Sequence, residues 1–173
     1  VGLTGAWFQT VGAQWFLVDR PHASILVSLV QASTTIPYVL FGLIAGVLAD
    51  ILDRRLVLIA VQATVAALGA LLAVLTFADR VTPALLLVLV FLLGTGSALG
   101  APAYQSLVPE LVPRSEIPAA AALNSISINV ARALGPAIAG VLVATAGVAS
   151  TFAVSAGTAL TYAVVVALWR PPK

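Results

Sequence analysis

Charge is the scarcest commodity in this chain. Asp, Glu, Lys and Arg together make up 8% of its 173 residues, with a net charge of +2. A soluble domain carries roughly a quarter charged residues, so this chain has too few to cover itself with a water-compatible surface. With 61% apolar residues and a mean hydropathy of +1.13, the sequence is that of a membrane protein. Cysteine is absent and histidine occurs once, at His22 beside Pro21, in what reads as a loop. That excludes disulfides and thiol redox chemistry and leaves nothing from which to build a zinc site. No basic patch with interleaved aromatics exists, so no nucleic-acid partner is expected. No His, Cys or carboxylate cluster lies within the apolar segments, which argues against an enzyme; no cofactor is expected.

What is present is a series of long apolar runs. A membrane crossing needs about 20 residues. The runs fall at about 1–18, 24–49, 56–77, 83–101, 117–143 and 148–169 and predict an all-α membrane protein with six transmembrane helices. Asp19 to His22, and Asp79, Arg80 and Pro83, mark two of the turns. Tyr104 to Glu116 reads as the longest polar connector, broken by Pro109 and Pro113, with Ser115 expected to cap the fifth helix. The chain opens at Val1 already apolar and without a basic n-region. We expect a fragment whose first helix has lost its beginning, rather than a signal peptide. Arg54, Arg55, Arg114, Arg170 and Lys173 fall on one side of the series, Arg20 and Arg80 on the other, so the first side is expected to be cytoplasmic, with both chain ends there. Trp169 beside Arg170 reads as an interface anchor.

Helical spacing sorts the few polar residues into stripes. Ser24, Ser28, Gln31, Thr35, Tyr38, Gly42 and Gly46 make a seam on the second helix; Ser125, Asn129, Arg132, Pro136 and Gly140 make one on the fifth. The first helix offers Trp7, Thr10 and Gln14, the fourth Gly94, Ser97 and Ala101. The third and sixth carry only scattered Gln62, Thr64, Ser155 and Thr158 and are expected to face lipid. Arg132 falls near the middle of its helix, where an arginine costs on the order of 2.5–3.5 kcal/mol. No carboxylate of the chain lies at that depth. Carbonyls, Asn129, Gln14, cavity water, a missing segment or an anionic substrate would have to meet it. Two readings stay open: a wall of a transport cavity formed by Gln14, Asn129 and Arg132, or a structural hydrogen-bond anchor. Gly135 and Pro136 follow directly, with Gly140 one turn on. Proline removes a backbone hydrogen bond, so the sequence predicts a kink there, either a pivot or an ordinary bend.

The stretch Gly42 to Arg55 ends the second helix and starts the third. Gly42 and Gly46 put flat patches on one helix face, where another membrane helix can approach closely. Asp50 falls in the last turn, against the negative end of the helix dipole, and Arg54 and Arg55 are expected to compensate it in part. This cluster reads either as a topology anchor or as a latch between moving bundles formed by Gly42, Gly46, Asp50, Arg54 and Arg55. A short repeat is also visible: Ile44-Ala45-Gly46-Val47-Leu48 recurs as Ile138-Ala139-Gly140-Val141-Leu142, on helices that run in opposite directions. A 3+3 inverted repeat would leave that mark.

Gly46-x-x-x-Asp50-x-x-Asp53-Arg54-Arg55 resembles the loop signature between helices two and three of the major facilitator superfamily, with Ile51 and Asp53 departing from the usual basic residue and glycine. Ala131-x-x-x-Gly135-Pro136-x-x-Ala139-Gly140 resembles the fifth-helix motif of its exporters, with alanine replacing two glycines. W-F-Q-T-V-G-A-Q-W, G-T-G-S-A-L-G-A-P-A, L-V-P-E-L-V-P-R-S-E and N-S-I-S-I-N-V-A-R-A-L-G-P resemble the enterobactin-exporter-like, transmembrane secretion effector branch. The resemblance spans nearly the whole chain and implies the N-terminal six-helix half of a bacterial inner-membrane exporter of siderophores, drugs or related small molecules. It further implies that helices one and four line the cavity, two and five face the other half, and Asp50 docks on that half. The expected partners are a small-molecule substrate, membrane lipid, and the absent C-terminal half or a second copy. A non-transporting six-helix scaffold is the alternative; a channel would show conductance without saturable substrate competition.

Overall fold

The computed structural model of the chain describes residues 2–107 and 112–169. Among these run α1 (Gly2–Leu17), α2 (Ala23–Ile51), α3 (Arg54–Phe77), α4 (Pro83–Leu107), a 3-10 turn (Arg114–Glu116), α5 (Ile117–Ala146) and α6 (Val148–Leu168). Five of the helices, α2 to α6, are long and apolar enough to cross a membrane, and α1 has 16 residues.

The helix ends have local causes. Asp53 caps α3, its carboxylate accepting from the amides of Arg55 (2.9 Å) and Leu56 (3.2 Å). The Thr82 hydroxyl accepts from the Leu85 amide at 3.2 Å and caps α4, with Pro83 at the first helical position, where its missing N–H has no consequence. α5 and α6 are joined by Gly147 alone, at φ 78, whose amide closes α5 on the Val143 carbonyl at 2.9 Å. His22 (φ 60) and Asp79 (φ 54) take the left-handed conformation at two other turns. Two boundaries differ from expectation. α4 continues through Pro102 to Leu107, so the connector begins later than Tyr104; residues 108–111, with Pro109 and Glu110, lie outside the described ones, as do Arg170 and Lys173. Ser115 does not cap α5: it sits in the 3-10 turn, and no side chain caps that helix. Pro118, in the first turn of α5, lacks one of the amides such a cap would satisfy.

α3 packs most broadly on α6 and α2 on α4, while α1 packs on α5 and α6 and α3 also meets α4. The expectation that the third and sixth helices turn chiefly to lipid is therefore half corrected, since their inner faces form the bundle's widest contact. Small residues make the close crossings. A Cβ on Gly94 would sit 2.9 Å from the Ser33 carbonyl oxygen of α2, and one on Gly135 would sit 2.8 Å from Trp7 of α1. Gly5 and Gly12 press against the hydroxyls of Thr158 and Thr151 on α6. Pro136 lies within the continuous helix α5.

Two apolar clusters hold the ends of the bundle. One gathers Leu17, Val30, Leu72, Leu86, Leu93 and Phe152; the other gathers Ala49, Leu58, Ala103, Leu107 and Val166, with Trp169 packed against it. Along α3, α4 and α6 these clusters lie toward opposite ends, and the segments between them border open space.

Candidate functional site

That space is a cavity of about 540 Å³ to which all six helices contribute. Its size is that of a small-molecule pocket, typically about 300–1,000 Å³. The polar groups on its wall are carboxamides (Gln9, Gln62, Asn124), phenols (Tyr38, Tyr104, Tyr162) and hydroxyls (Ser97, Ser127, Ser155, Thr158). Among the described residues, no Asp, Glu, Lys, Arg or His lines it.

Each polar group is placed by its helix. Gln9 lies four residues after Gly5 and three before Gly12, on the face of α1 that presses against α6, and it is 8% exposed. Among the described residues its carboxamide has no hydrogen-bond partner in the protein. Among the described residues no side-chain nitrogen or oxygen is both shut off and unpaired, so that carboxamide opens onto the cavity. Ser97, Ser127 and Thr158 donate to carbonyls of their own helices at 3.1, 2.9 and 2.7 Å, and so offer the cavity lone pairs rather than protons. The Tyr104 hydroxyl donates to Asn124 Oδ1 at 3.0 Å, bridging α4 and α5, which otherwise barely touch. The rings of Tyr104 and Tyr162 stand 6.5 Å apart, tilted by 55°.

None of Gln14, Asn129 and Arg132 lines this cavity. Gln14 is half-buried on α1; Asn129 and Arg132 are exposed on α5. The Asn129 amide nitrogen donates to the Ser125 carbonyl at 2.9 Å, and among the described residues the Arg132 guanidinium has no hydrogen bond or ion pair. Most of the seam on α2 is on the outside too: Ser24, Ser28, Gln31 and Thr35 are exposed, while Tyr38, also exposed, borders the cavity. Ser28, Thr35 and Ser125 donate to carbonyls one turn back, which leaves these hydroxyl protons satisfied without any neighbouring helix.

Gly42, Gly46 and Gly140 differ from the glycines at the crossings. A Cβ on any of them would meet nothing within 4 Å. Gly135 is pressed on Trp7, and Pro136 beside it is half-buried. Within the charged turn, the two arginines reach helix carbonyls. Arg55 reaches across to the end of α6, where Nε donates to the Val166 carbonyl at 3.0 Å and a terminal nitrogen to that of Ala167 at 2.6 Å. Arg54 Nε approaches the Ala49 carbonyl at 3.4 Å. The last carbonyls of a helix lack intrahelical donors, and guanidinium groups supply them. Asp50 stays exposed at the end of α2, with no ion pair among the described residues.

Gln9 falls outside the polar stripes expected above, although the spacing Gly5-x-x-x-Gln9-x-x-Gly12 is visible in the sequence. It sets an amide on a small-residue packing face, and that signal would have found it.

Long apolar helices packed through small residues around an uncharged cavity define a multi-pass helical membrane protein. The chain belongs to the transmembrane secretion effector family of the major facilitator superfamily, whose model matches residues 1–173. It is similar to a staphyloferrin A transporter of Staphylococcus aureus, 31% identical over 86% of this chain and 38% of that protein. It is also similar to macrolide efflux protein A of Streptococcus pyogenes, 24% identical over 92% of this chain and 39% of that protein. An uncharacterized MFS-type transporter of Bacillus subtilis is 29% identical over 93% of the chain and 38% of its own length. The chain thus spans about two fifths of the length of the curated relatives it matches, and these are named for transport rather than catalysis. No solved structure matches it significantly.

Proposed function

We propose that this chain forms one six-helix bundle of a bacterial inner-membrane exporter of small molecules, with both ends of the bundle cytoplasmic. It works by alternating access against a second bundle, supplied by the same polypeptide or by a second copy. The observation that carries the reading is the pair of open faces on α2 and α5. Most glycines within the described helices are filled by a neighbouring helix, whereas Gly42, Gly46 and Gly140 are left bare beside the polar seams of α2 and α5, as is Gly157 on α6. Such faces are the ones a second bundle covers. Arg132 and Asn129 then border the cleft between the bundles, where an otherwise unpaired cation meets water or an anionic group.

The inverted 3+3 repeat is supported by burial at the recurring pentapeptides. Ala45 and Ala139 are each 0% exposed, Ile44 and Ile138 are 53% and 52%, and Val47 and Val141 are 56% and 63%. Exchanging α1 with α4, α2 with α5 and α3 with α6 also maps the α2–α4 contact onto α5–α1, and α3–α4 onto α6–α1. The relatives' names, for a siderophore transporter and a macrolide efflux protein, support small-molecule cargo. The exposed Asp50 serves as the latch, docking on the second bundle. Asp50→Asn in the full transporter should impair efflux of a labelled macrolide while leaving membrane insertion intact. Efflux equal to the parent's at equal expression would remove Asp50 from the mechanism.

A further inference from the structure

We infer that the cavity inside this one bundle is a binding site in its own right. It takes an uncharged molecule that joins an aromatic or apolar body to hydroxyl and carbonyl groups, and the ligand engages Gln9, Asn124 and the paired rings of Tyr104 and Tyr162. The inference rests on the lining of this bundle alone, although Tyr38 and Ser127 of that lining lie on the α2 and α5 faces assigned above to a second bundle.

The wall itself selects the ligand. Gln9 is 8% exposed and its carboxamide has no protein partner among the described residues, yet it opens onto the cavity. A buried amide without a partner is destabilising, so a group that both donates and accepts belongs opposite it. Gln62 is likewise without a partner among the described residues, and in Asn124 the oxygen accepts from Tyr104 while the amide hydrogens remain for a ligand carbonyl. Ser97, Ser127 and Thr158 have their protons committed to helix carbonyls and offer only lone pairs, which suit ligand hydroxyl groups. The tilted rings of Tyr104 and Tyr162, 6.5 Å apart, supply faces and edges for an aromatic body. Charge is rejected for the complementary reason: with no Asp, Glu, Lys, Arg or His on the wall among the described residues, an ion would enter without a counter-ion, and a buried unpaired charge is far more costly than a buried amide. The Tyr104–Asn124 bond joins two helices that otherwise barely touch, so it also holds the α4 and α5 walls of the cavity together.

The test uses three probes built on one ring: 4-nitrophenyl β-D-glucoside (neutral), 4-nitrophenyl phosphate (anion) and 4-nitrobenzyl-trimethylammonium (cation). Equilibrium dialysis against the full transporter in nanodiscs reads their binding. The glucoside should bind saturably, at least tenfold more tightly than either ion. Gln9→Leu should weaken it fivefold or more, and Ala101→Trp, which fills the cavity, should abolish it. Asn124→Asp places a carboxylate on the wall and should move the preference toward the cation by at least tenfold, a change that mere loosening of the fold would not produce. Equal binding of all three probes, no saturable binding of the glucoside, or an Asn124→Asp protein with unchanged preference would each overturn the site. The two proposals fail separately. Glucoside binding by a protein that exports nothing keeps the site and refutes transport, whereas efflux without cavity binding refutes the site alone.

Discussion

Adding one methyl group at Gly94 and one at Gly46 should move stability in opposite directions. At Gly94 the new Cβ lands 2.9 Å from the Ser33 carbonyl oxygen, 3.2 Å from Thr34 Cα and 3.4 Å from Pro37 Cγ. The two nearest atoms are backbone of α2, which cannot step aside as a side-chain tip can, and α2–α4 is one of the two broadest contacts in the bundle. Overpacking of this kind costs about 1–3 kcal/mol. Replacing glycine by alanine within a helix returns at most about 1 kcal/mol. The balance for Gly94→Ala is a loss of about 1–2 kcal/mol, or a fall in Tm of roughly 2–8 °C for a chain of this size. At Gly46 nothing lies within 4 Å, so only the helix term operates and Gly46→Ala should leave the 173-residue chain unchanged or slightly stabilised. The assay is thermal unfolding in detergent micelles, followed by circular dichroism or tryptophan fluorescence. Equal melting of the two variants would refute the close crossing at Gly94. In the full transporter the sign at Gly46 should reverse, because the second bundle occupies that face; a Gly46→Leu transporter with parental efflux would leave the face unoccupied and refute that docking.

The charged turn yields two more predictions. Arg55→Gln removes the guanidinium from the carbonyls of Val166 and Ala167 and should lower stability by about 1.5–3 kcal/mol, the range for hydrogen bonds to a charged group. Arg55→Lys should recover less than half, since an ammonium cannot fork to two carbonyls in the same way; full recovery in a denaturation midpoint would mean that charge alone matters. Asp53→Ala should cost about 0.5–2 kcal/mol through loss of the cap on α3, and Asp53→Asn should restore most of it. Measured in the same assay, an Asp53→Asn protein no better than Asp53→Ala would show that charge near the helix dipole, rather than the cap, carries the effect.

Much of the bundle was legible in the chain because membrane helices announce themselves locally. The runs near 24–49, 56–77 and 148–169 end within about two residues of α2, α3 and α6, and Pro83 marks the start of α4. The end of α4 was not legible, since Pro102 reads as a breaker and the helix runs on to Leu107. The spacing put Gly42, Gly46 and Gly140 on the seams of α2 and α5, but did not show that each meets no other helix of this bundle. The wall of the cavity was legible only in part, in Ser97 and Ala101 of the α4 face and Tyr38 of the α2 seam. Tyr104 had been read as connector, Gln62 and Thr158 as scattered residues on lipid-facing helices, and Gln9 had been passed over for Gln14. Arg55 was expected beside Asp50, and its actual partners lie more than a hundred positions away on α6.

The difference has one physical origin. Whether about 20 successive residues settle in lipid as a helix depends on those residues alone, because a helix satisfies its own backbone hydrogen bonds. So the class, the turns and the stripes were contained in the amino-acid order. Which stripe faces a neighbour depends on how each helix is turned about its axis, and one residue of sequence is about 100° of rotation. That turn is chosen by the partner: Gly5 and Gly12 against Thr158 and Thr151 set α1 so that Gln9 looks inward and Gln14 does not. Only the assembled bundle could make that choice, since every face of an apolar helix suits lipid and contact with another helix is what breaks the tie.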